Sequence, residues 1–395
     1  MPTTGSSPGK LTFVTVDQGT GRRRLVVAGV VVAVVVVVAA VAVALGVGRS
    51  SSNATTVIVP GVVTAIGCSG ASSCVGLGAN LSTSAEAGNS ISLTTTDGGS
   101  TWRTSNSVPD AVGAGVVSCW DPLHCVAAGA GGGIGVTADG GSHWQALPVA
   151  PTAVAVSCPA AEQCFAVVAG STGSAGSSGS SGSSVDFDRT ADGGMTWSTG
   201  PVPGLARATA LWCADAEHCL IAGTSEPSSG VRATPVLVGT IDGGQSWGQG
   251  RLPAGVDIVH DLTCTSSQRC VGVASPGLFL STVDGGFTWT ATALAASGQT
   301  TNGPPSPVAV SCAGPNDCLV VDEGSTDVQV TTDGGATWTP RPLPSPADQN
   351  PAAVTCQPAG FCLVTGSQGA NSHSAPSFVA RSTDGGASWQ QVWSG

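Results

Sequence analysis

Carboxylates are the side chains of this sequence with the clearest capacity for chemistry, and seven of them recur in one pattern. Each of these aspartates lies two residues after a Thr or Ser, directly before two glycines, and five residues before a tryptophan. Carboxylates in such numbers could bind calcium or act as acids and bases. Seven equivalent copies favour a folding element instead, because a single active site would use one or two of them. The seven residues are Asp97, Asp139, Asp192, Asp242, Asp284, Asp333 and Asp384.

The residues around each aspartate predict the tight turn of a β-hairpin. Asp-Gly-Gly lies between two apolar, alternating runs, and glycine tolerates the positive φ angles of such a turn. The carboxylate is expected to accept hydrogen bonds from backbone N–H groups of the turn. The tryptophan is expected to begin the outgoing strand and to bury its apolar face. The tryptophans are Trp102, Trp144, Trp197, Trp247, Trp289, Trp338 and Trp389.

A second repeated feature is a pair of cysteines separated by five residues, which precedes each of these aspartates. All fourteen cysteines belong to such pairs, and each pair is predicted to close a hairpin as a disulfide, with the five intervening residues as its turn. Structural zinc is disfavoured, because each pair supplies two ligands rather than four and no histidine accompanies it regularly. We therefore expect no metal and no cofactor. The pairs are Cys68/Cys74, Cys119/Cys125, Cys158/Cys164, Cys213/Cys219, Cys264/Cys270, Cys312/Cys318 and Cys356/Cys362.

The two features together predict four strands in every repeat. In the sixth repeat these are approximately Pro307–Cys312, Cys318–Asp322, Asp327–Thr332 and Trp338–Arg341. Seven repeats of about 48 residues are typical of propeller blades. The sequence thus predicts an all-β fold, a seven-bladed β-propeller of four-stranded blades, over residues 57–395. The two turns of constant length should share one face of the disc, and the connections of variable length should lie on the other, where binding is more usual.

The aspartate pattern resembles the Asp-box, or BNR repeat, S/T-x-D-x-G-x-T/S-W, and only His143 departs from it at a Thr/Ser position. In that family the box forms the turn between the third and fourth strands of propeller blades. The resemblance is to a superfamily of sialidase-like and photosystem II assembly factor-like propellers, whose functions differ. Sialidases use a tyrosine nucleophile, and this sequence has no tyrosine. The assembly factors have an arginine-rich patch, whereas the arginines of this propeller are scattered.

Other polar residues are candidates for binding a ligand on the variable face. A glycoside hydrolase could also use two carboxylates there, although acidic loop residues are more often simply solvated. The candidates are Asp186, Asp188, Asp257, His260, Asp261, Asp322 and Glu323.

The N-terminal part of the sequence predicts a membrane anchor. Residues 1–24 form a polar tail ending in three arginines, Leu25–Val47 carries no charge, and residues 48–56 form a short polar linker. At about 1.5 Å per residue, a helix over Leu25–Val47 spans a hydrocarbon core of about 30 Å. The arginines predict a cytoplasmic N-terminus and an extracellular propeller. A cleaved signal peptide is the alternative, but its apolar region is normally shorter.

Composition narrows the range of partners. The net charge of −11 argues against binding to nucleic acid, because no basic face is available to neutralise phosphates. We therefore predict a single-pass membrane protein whose extracellular propeller is a non-catalytic binding or scaffold module for a protein or glycan ligand. A glycoside hydrolase with a pair of carboxylates on the variable face is the alternative.

Overall fold

The computed structural model describes residues 60–80, 90–109, 112–113, 115–129, 133–147, 153–169, 184–226, 232–295, 304–344, 349–368 and 376–394. The predicted tail 1–24, transmembrane helix 25–47 and linker 48–56 lie outside these residues. Within the described ranges, no helix is both long enough and apolar enough to cross a membrane.

The described chain forms seven antiparallel sheets of four strands, and in every sheet the strands follow one another in chain order. We number the sheets as blades 1 to 7. Blades 1 to 4 comprise Pro60–Cys68, Cys74–Asn80, Ser90–Thr95 and Arg103–Val108; Gly115–Cys119, Cys125–Gly129, Ile134–Thr137 and Gln145–Ala146; Ala153–Ala160, Gln163–Ala169, Val185–Thr190 and Ser198–Pro201; and Arg207–Cys213, Cys219–Thr224, Pro235–Thr240 and Gly248–Gln249. Blades 5 to 7 comprise Ile258–Cys264, Cys270–Ser275, Leu278–Thr282 and Thr290–Ala293; Pro307–Cys312, Cys318–Asp322, Asp327–Thr331 and Thr339–Pro342; and Gln349–Gln357, Phe361–Gln368, Ser377–Ser382 and Gln390–Ser394, with a short 3₁₀ turn at Pro358–Gly360.

The first strands of the blades form the inner ring of the disc. Each contacts the first strand of the next blade, and that of blade 7 contacts that of blade 1. All seven line one central cavity. The prediction of an all-β, seven-bladed propeller of four-stranded blades is therefore confirmed.

The tryptophan of each repeat precedes the outer strand by one residue, so the expectation that it begins that strand is wrong by one position. In blade 6 the outer strand is Thr339–Pro342, directly after Trp338. The tryptophan instead completes the turn, and in three blades its indole N–H donates to the carbonyl of the second turn glycine. These three residues are Trp197, Trp289 and Trp389.

The hydrophobic core consists of layers between neighbouring blades. Between blades 3 and 4, for example, Phe165 and Phe187 pack with Leu211, Ile221 and other buried side chains. The Phe187 ring meets the Trp247 indole edge-on, with ring centroids 5.1 Å apart. Burial of each such apolar side chain contributes about 1.5–3 kcal/mol, so these layers stabilise the packing of successive sheets.

Among the described residues, no strand is shared between the first and last blades. Blade 1 contains only N-terminal strands of the propeller, and blade 7 contains only C-terminal ones. Leu93 of blade 1 packs against Leu363 and Val379 of blade 7. The Val63 amide donates to Ser377 Oγ at 3.0 Å, and Arg381 Nη1 donates to the carbonyl of Gly98 at 3.0 Å. Side-chain packing and hydrogen bonds therefore join the two ends.

Candidate functional site

The repeated aspartate and the hydroxyl residue before it organise the turn through five hydrogen bonds, as blade 6 illustrates. Asp333 Oδ1 accepts from Thr331 Oγ1 at 2.7 Å and from the Thr337 amide at 2.9 Å, and Oδ2 accepts from Thr337 Oγ1 at 2.5 Å. Thr331 Oγ1 in turn accepts from the amides of Asp333 and Gly335. Both carboxylate oxygens are therefore occupied by donors of the turn itself.

The same donors lower the pKa of the carboxylate in all seven copies. For Asp333 the side-chain hydrogen bond from Thr337 is the largest cause, and its pKa falls to about 2. The pKa of Asp97, Asp192, Asp242 and Asp284 also falls to about 2, again through hydrogen bonds. For Asp384 the side-chain hydrogen bond from Ser388 is the largest cause of a lowered pKa. These groups remain ionised and hold the turn.

His143 replaces the hydroxyl residue of this network in blade 2. Its backbone amide donates to Asp139 Oδ1 at 2.8 Å, as in the other repeats, and its Nδ1 lies 2.6 Å from Asp139 Oδ2. Burial alone would raise the pKa of Asp139, but the hydrogen bonds from His143 and Thr137 lower it. The imidazole therefore reproduces the contact of the missing hydroxyl, and the side chain as a whole is largely exposed.

The aspartate turn and the cysteine turn of each blade are joined by one hydrogen bond and lie on the same face of the disc. The amide of the first turn glycine donates to the carbonyl of the residue two positions before the second cysteine. In blade 6 this bond runs from Gly334 to Asn316 at 3.0 Å. The equivalent bonds run from Gly98, Gly140, Gly193, Gly243, Gly285 and Gly385. We call this side of the disc the turn face.

The seven cysteine pairs are disulfides, as predicted. Each bridge joins facing residues of the first two strands of a blade, with Cα atoms 3.9–4.1 Å apart. All fourteen cysteines of the sequence lie within the described residues, and none of them is free.

The turns that precede Cys164 and Cys362 are shorter than the five residues predicted from the sequence. In the other five blades the second strand begins at the cysteine itself, whereas here it begins one residue earlier, at Gln163 and at Phe361. The two strands therefore pair for one further position beyond each of these bridges, so fewer than five residues form the turn.

The same two cysteines are also fully buried, at 0% exposure each. Cys164 packs in the apolar layer between blades 2 and 3, and Cys362 packs in the layer between blades 6 and 7. A ligand at the surface cannot reach either sulfur, so Cys164 and Cys362 act only through the disulfides that they form.

Backbone conformation and lack of space both require glycine at the second glycine position of the turn. In blade 6, Gly335 has a φ angle of +91°, and a Cβ atom there would lie 2.2 Å from the ring of Phe279 in blade 5. Gly244 has the same relation to Phe187 of blade 3. The turn thus also shapes the packing between blades.

The central cavity has a volume of about 650 Å³ and is lined by inner strands. In six blades the inner strand contains a β-bulge at the same position, which interrupts its pairing with the second strand. The bulged residues are Thr64, Val154, Thr209, His260, Val308 and Ala352, and all of them line the cavity. The bulges therefore decide which side chains ring the channel.

Among the described residues that line this cavity, His260 and Asp261 are the only titratable side chains. His260 Nε2 lies 2.5 Å from Ser275 Oγ, and burial lowers the pKa of this imidazole. Asp261 accepts from the Leu262 amide and from the Val310 amide of blade 6, both at 2.9 Å. Burial nevertheless raises the pKa of Asp261 to about 6. This carboxylate links blades 5 and 6 at a position where the other blades have Ala or Val.

Asp322 is fully buried at the end of the second strand of blade 6, so it cannot bind a ligand at the surface as the sequence suggested. Its Oδ2 accepts from Gln329 Nε2 at 2.7 Å. Asp322 Oδ1 and Gln329 Oε1 are buried and have no hydrogen-bond partner among the described residues. Burial raises the pKa of Asp322, and the hydrogen bond from Gln329 only partly offsets this rise. A protonated Asp322 could donate to the amide oxygen and satisfy both atoms.

The remaining candidate residues are dispersed. Asp186 and Asp188 lie in the third strand of blade 3; Asp188 is buried, which raises its pKa, while a Thr199 hydrogen bond lowers it. Asp257 is exposed, and its amide donates to the Ser275 carbonyl at 3.0 Å. Glu323 is exposed and close enough to His260 to influence its pKa. The structure thus brings Asp257, His260 and Glu323 to the blade 5–6 region and leaves the blade 3 carboxylates elsewhere.

Ser275 and Gln329 contact the predicted residues but were not among the candidates. Gln329 could have been found, because it interrupts the apolar run of the strand Asp327–Thr331. Ser275 has no such signal, because its contact with His260 depends on a bulge fifteen residues earlier.

Comparisons with known proteins support the fold. Neither protein-family models nor curated proteins give a match to the sequence. The structure is similar to YCF48 bound to D1 peptide, with a TM-score of 0.55, 14% identity, and coverage of 79% of this chain and 92% of that chain. YCF48 from Cyanidioschyzon merolae gives a TM-score of 0.54 at 12% identity, covering 79% and 94%. The structure of U3-55K gives a TM-score of 0.57 at 8% identity, covering 77% and 88%. At these identities the likeness concerns the fold alone.

Proposed function

We propose that this protein is a membrane-anchored, extracellular propeller that binds a protein ligand without catalysing a reaction. The helix predicted over Leu25–Val47 would hold the propeller at the outer surface of the membrane. The seven disulfides suit an oxidising compartment, which is consistent with this location.

The observation that carries the proposal is the state of the repeated carboxylates. Each accepts hydrogen bonds from its own turn, and the resulting low pKa keeps it ionised and unsuited to proton transfer near neutral pH. In the central cavity, Asp261 accepts from two backbone amides and has a raised pKa of about 6, but no second candidate carboxylate lines the cavity among the described residues. A scaffold whose carboxylates are held by hydrogen bonds from the protein itself is better suited to binding a ligand on its surface than to catalysis.

The glycoside hydrolase alternative requires two carboxyl groups facing one sugar-binding cleft. Of the candidate carboxylates, only Asp261 lines the central cavity within the described residues. Asp186 and Asp188 lie in the third strand of blade 3, away from the inner ring. A protein ligand is therefore the better-supported choice. The neighbour YCF48, whose structure contains a D1 peptide, is an example of a propeller with a bound peptide.

The proposal is tested on intact cells that produce the full chain with a C-terminal tag. The tag should be accessible to a membrane-impermeant protease, and surface cross-linking should join the propeller to a reproducible protein partner. Purified full chain in detergent should leave a panel of polysaccharides uncleaved. Release of reducing sugar that is lost in Asp186→Asn or Asp261→Asn would favour the hydrolase instead, and a protected tag would contradict the extracellular location.

A further inference from the structure

Large apolar side chains are exposed on one part of the turn face. Seven such side chains are strongly exposed among the described residues, and five of them lie in turns of this face. These five are between 51% and 68% exposed: Leu123, Met195, Ile241, Val283 and Phe287. They belong to blades 2, 3, 4 and 5, and no residue of this group belongs to blades 1, 6 or 7.

The repeats provide an internal control for these positions. Ile241 and Val283 immediately precede the turn aspartate, where blades 1, 6 and 7 have threonine. Met195 and Phe287 lie three residues after it, where blades 6 and 7 have alanine. The turn therefore forms equally well with small or polar residues. Folding does not require the exposed apolar side chains, and a group of them on one surface is typical of an interaction site.

A cleft between blades 2 and 3 on the same face has a volume of about 610 Å³. Met195 lines it together with Trp120, His124 and His143. The Trp120 and His124 rings are stacked, with centroids 5.4 Å apart, and His124 Nδ1 lies 2.8 Å from Asp121 Oδ2. The corresponding position after the first cysteine holds no tryptophan in any other blade. Three departures from the repeat, Trp120, His143 and Met195, therefore line this cleft.

The charge of the cleft indicates the kind of ligand. Four carboxylates line it, and neither arginine nor lysine is present among the described lining residues. The carboxylates are Asp121, Asp139, Glu162 and Asp192. Hydrogen bonds lower the pKa of Asp192 to about 2, so that this group is ionised at neutral pH. A guanidinium or ammonium group would find opposite charge here and an aromatic face within reach.

We propose that the turn face of blades 2 to 5 docks a segment of a partner protein that carries both basic and apolar side chains. A basic side chain enters the blade 2–3 cleft, and apolar side chains cover Met195, Ile241, Val283 and Phe287. A second copy fits poorly, since the chain has a net charge of −11 and would present the same acidic cleft. An anionic membrane surface is disfavoured for the same reason. This inference rests on the proposed function and assigns the protein ligand to the turn face.

The test uses the full chain in detergent and measures fluorescence anisotropy of a short labelled peptide of alternating arginine and leucine. Peptides of alternating glutamate and leucine, or arginine and serine, serve as probes of charge and apolarity. The main variant combines Met195→Ala, Ile241→Thr, Val283→Thr and Phe287→Ala, residues that other blades carry at these positions. Its matched control, Thr332→Ile with Ala336→Met, adds apolar residues to blade 6.

The arginine–leucine peptide should bind more tightly than either comparison peptide, and more weakly as salt is added. The main variant should lose roughly tenfold in affinity, because apolar anchors dominate such interfaces, while the blade 6 control stays unchanged. Glu162→Gln should weaken binding severalfold, and Glu226→Gln, outside the turn face, should not. Equal binding of the glutamate peptide, or unchanged affinity in the main variant, would overturn the inference.

A separate result distinguishes this inference from the proposed function. If surface cross-linking of the main variant still captures the partner of the unaltered chain at full yield, the protein ligand stands and the docking face is wrong. If the unaltered chain captures no protein partner, the proposed function fails first. Concentration-dependent self-association of the unaltered chain, abolished in the main variant, would instead assign this face to a second copy and contradict a basic partner.

Discussion

The carboxylates of the turn face and those of the blade 5–6 region have opposite surroundings. Asp333 is exposed and surrounded by donors, and its pKa falls to about 2. Asp261 is half-buried and accepts only from two amides, and its pKa rises to about 6. The balance between hydrogen-bond donors, which lower the pKa of a carboxylate, and burial, which raises it, therefore decides the direction of each shift. The repeated carboxylates build the fold, whereas the unrepeated ones introduce a local sensitivity to pH.

The largest expected effect comes from reducing the disulfides, which removes the covalent links of the turn face. Each bridge joins cysteines six residues apart, and a closed loop of this size contributes roughly 2 kcal/mol in the chain-entropy model. Seven such contributions are comparable to the whole stability of an ordinary domain, about 5–15 kcal/mol. We expect reductant to lower the melting temperature markedly. Calorimetry with and without reductant measures this, and an unchanged transition in fully alkylated protein would show that the hairpins hold without the bridges.

A smaller effect is expected from removing one hydroxyl of the repeated turn. Thr331→Val leaves the amide of Gly335 without its acceptor in a buried position. An unsatisfied buried donor costs roughly 1–3 kcal/mol, so the free energy of unfolding should fall by about that amount. Thr332→Val, at the neighbouring exposed position, is the control. Denaturant unfolding of both variants measures the difference, and equal stability would mean that the turn does not depend on this hydroxyl.

Asp322→Asn tests the other side of the comparison and should stabilise the protein. The asparagine oxygen can accept from Gln329 Nε2, as Asp322 Oδ2 does, and its amide nitrogen can donate to the unpartnered Gln329 Oε1. One added hydrogen bond contributes about 0.5–1.5 kcal/mol. The increase in the free energy of unfolding should be larger at pH 8 than at pH 4. At the higher pH the unaltered protein must ionise a buried carboxylate or keep it protonated, and the variant has no such carboxylate. Asp327→Asn, in the neighbouring strand, is the control, and a loss of stability at both pH values would contradict the pairing.

The repeats explain how much of this fold was predictable. Seven copies of one turn and one cysteine pair indicated blade number, strand order and disulfide pairing, because each depends on contacts within about fifty residues. The unrepeated contacts were not predictable. His260 meets Ser275, and Asp261 meets the Val310 amide of the next blade, only because of a bulge and the angle between sheets. The exposed apolar residues were visible in the sequence, but their exposure was not.

The pH dependence of stability is the subtlest test, because the two regions contribute opposite slopes. The turn aspartates have folded pKa values below their unfolded value of about 3.9, so their contribution is present above that pH and is lost as pH falls towards 2. Asp261 has a folded pKa of about 6. Between about pH 4 and pH 6 the folded state therefore binds more protons at this site, and stability falls as pH rises.

Together these carboxylate slopes predict a shallow maximum of stability at about pH 4, in which each exposed turn aspartate contributes little because solvent screens it. The lowered pKa of His260 opposes the decline above this pH, because the unfolded state then binds the proton more readily. Urea unfolding across the pH range should show the fall on both sides. Asp261→Asn should flatten the decline between about pH 4 and pH 6 and leave the acid side unchanged. His143→Thr, which restores the repeat pattern on the turn face, is the control and should keep that decline. A decline that persists in Asp261→Asn would assign it to another group, of which Asp322 is the first to examine, because burial raises its pKa as well.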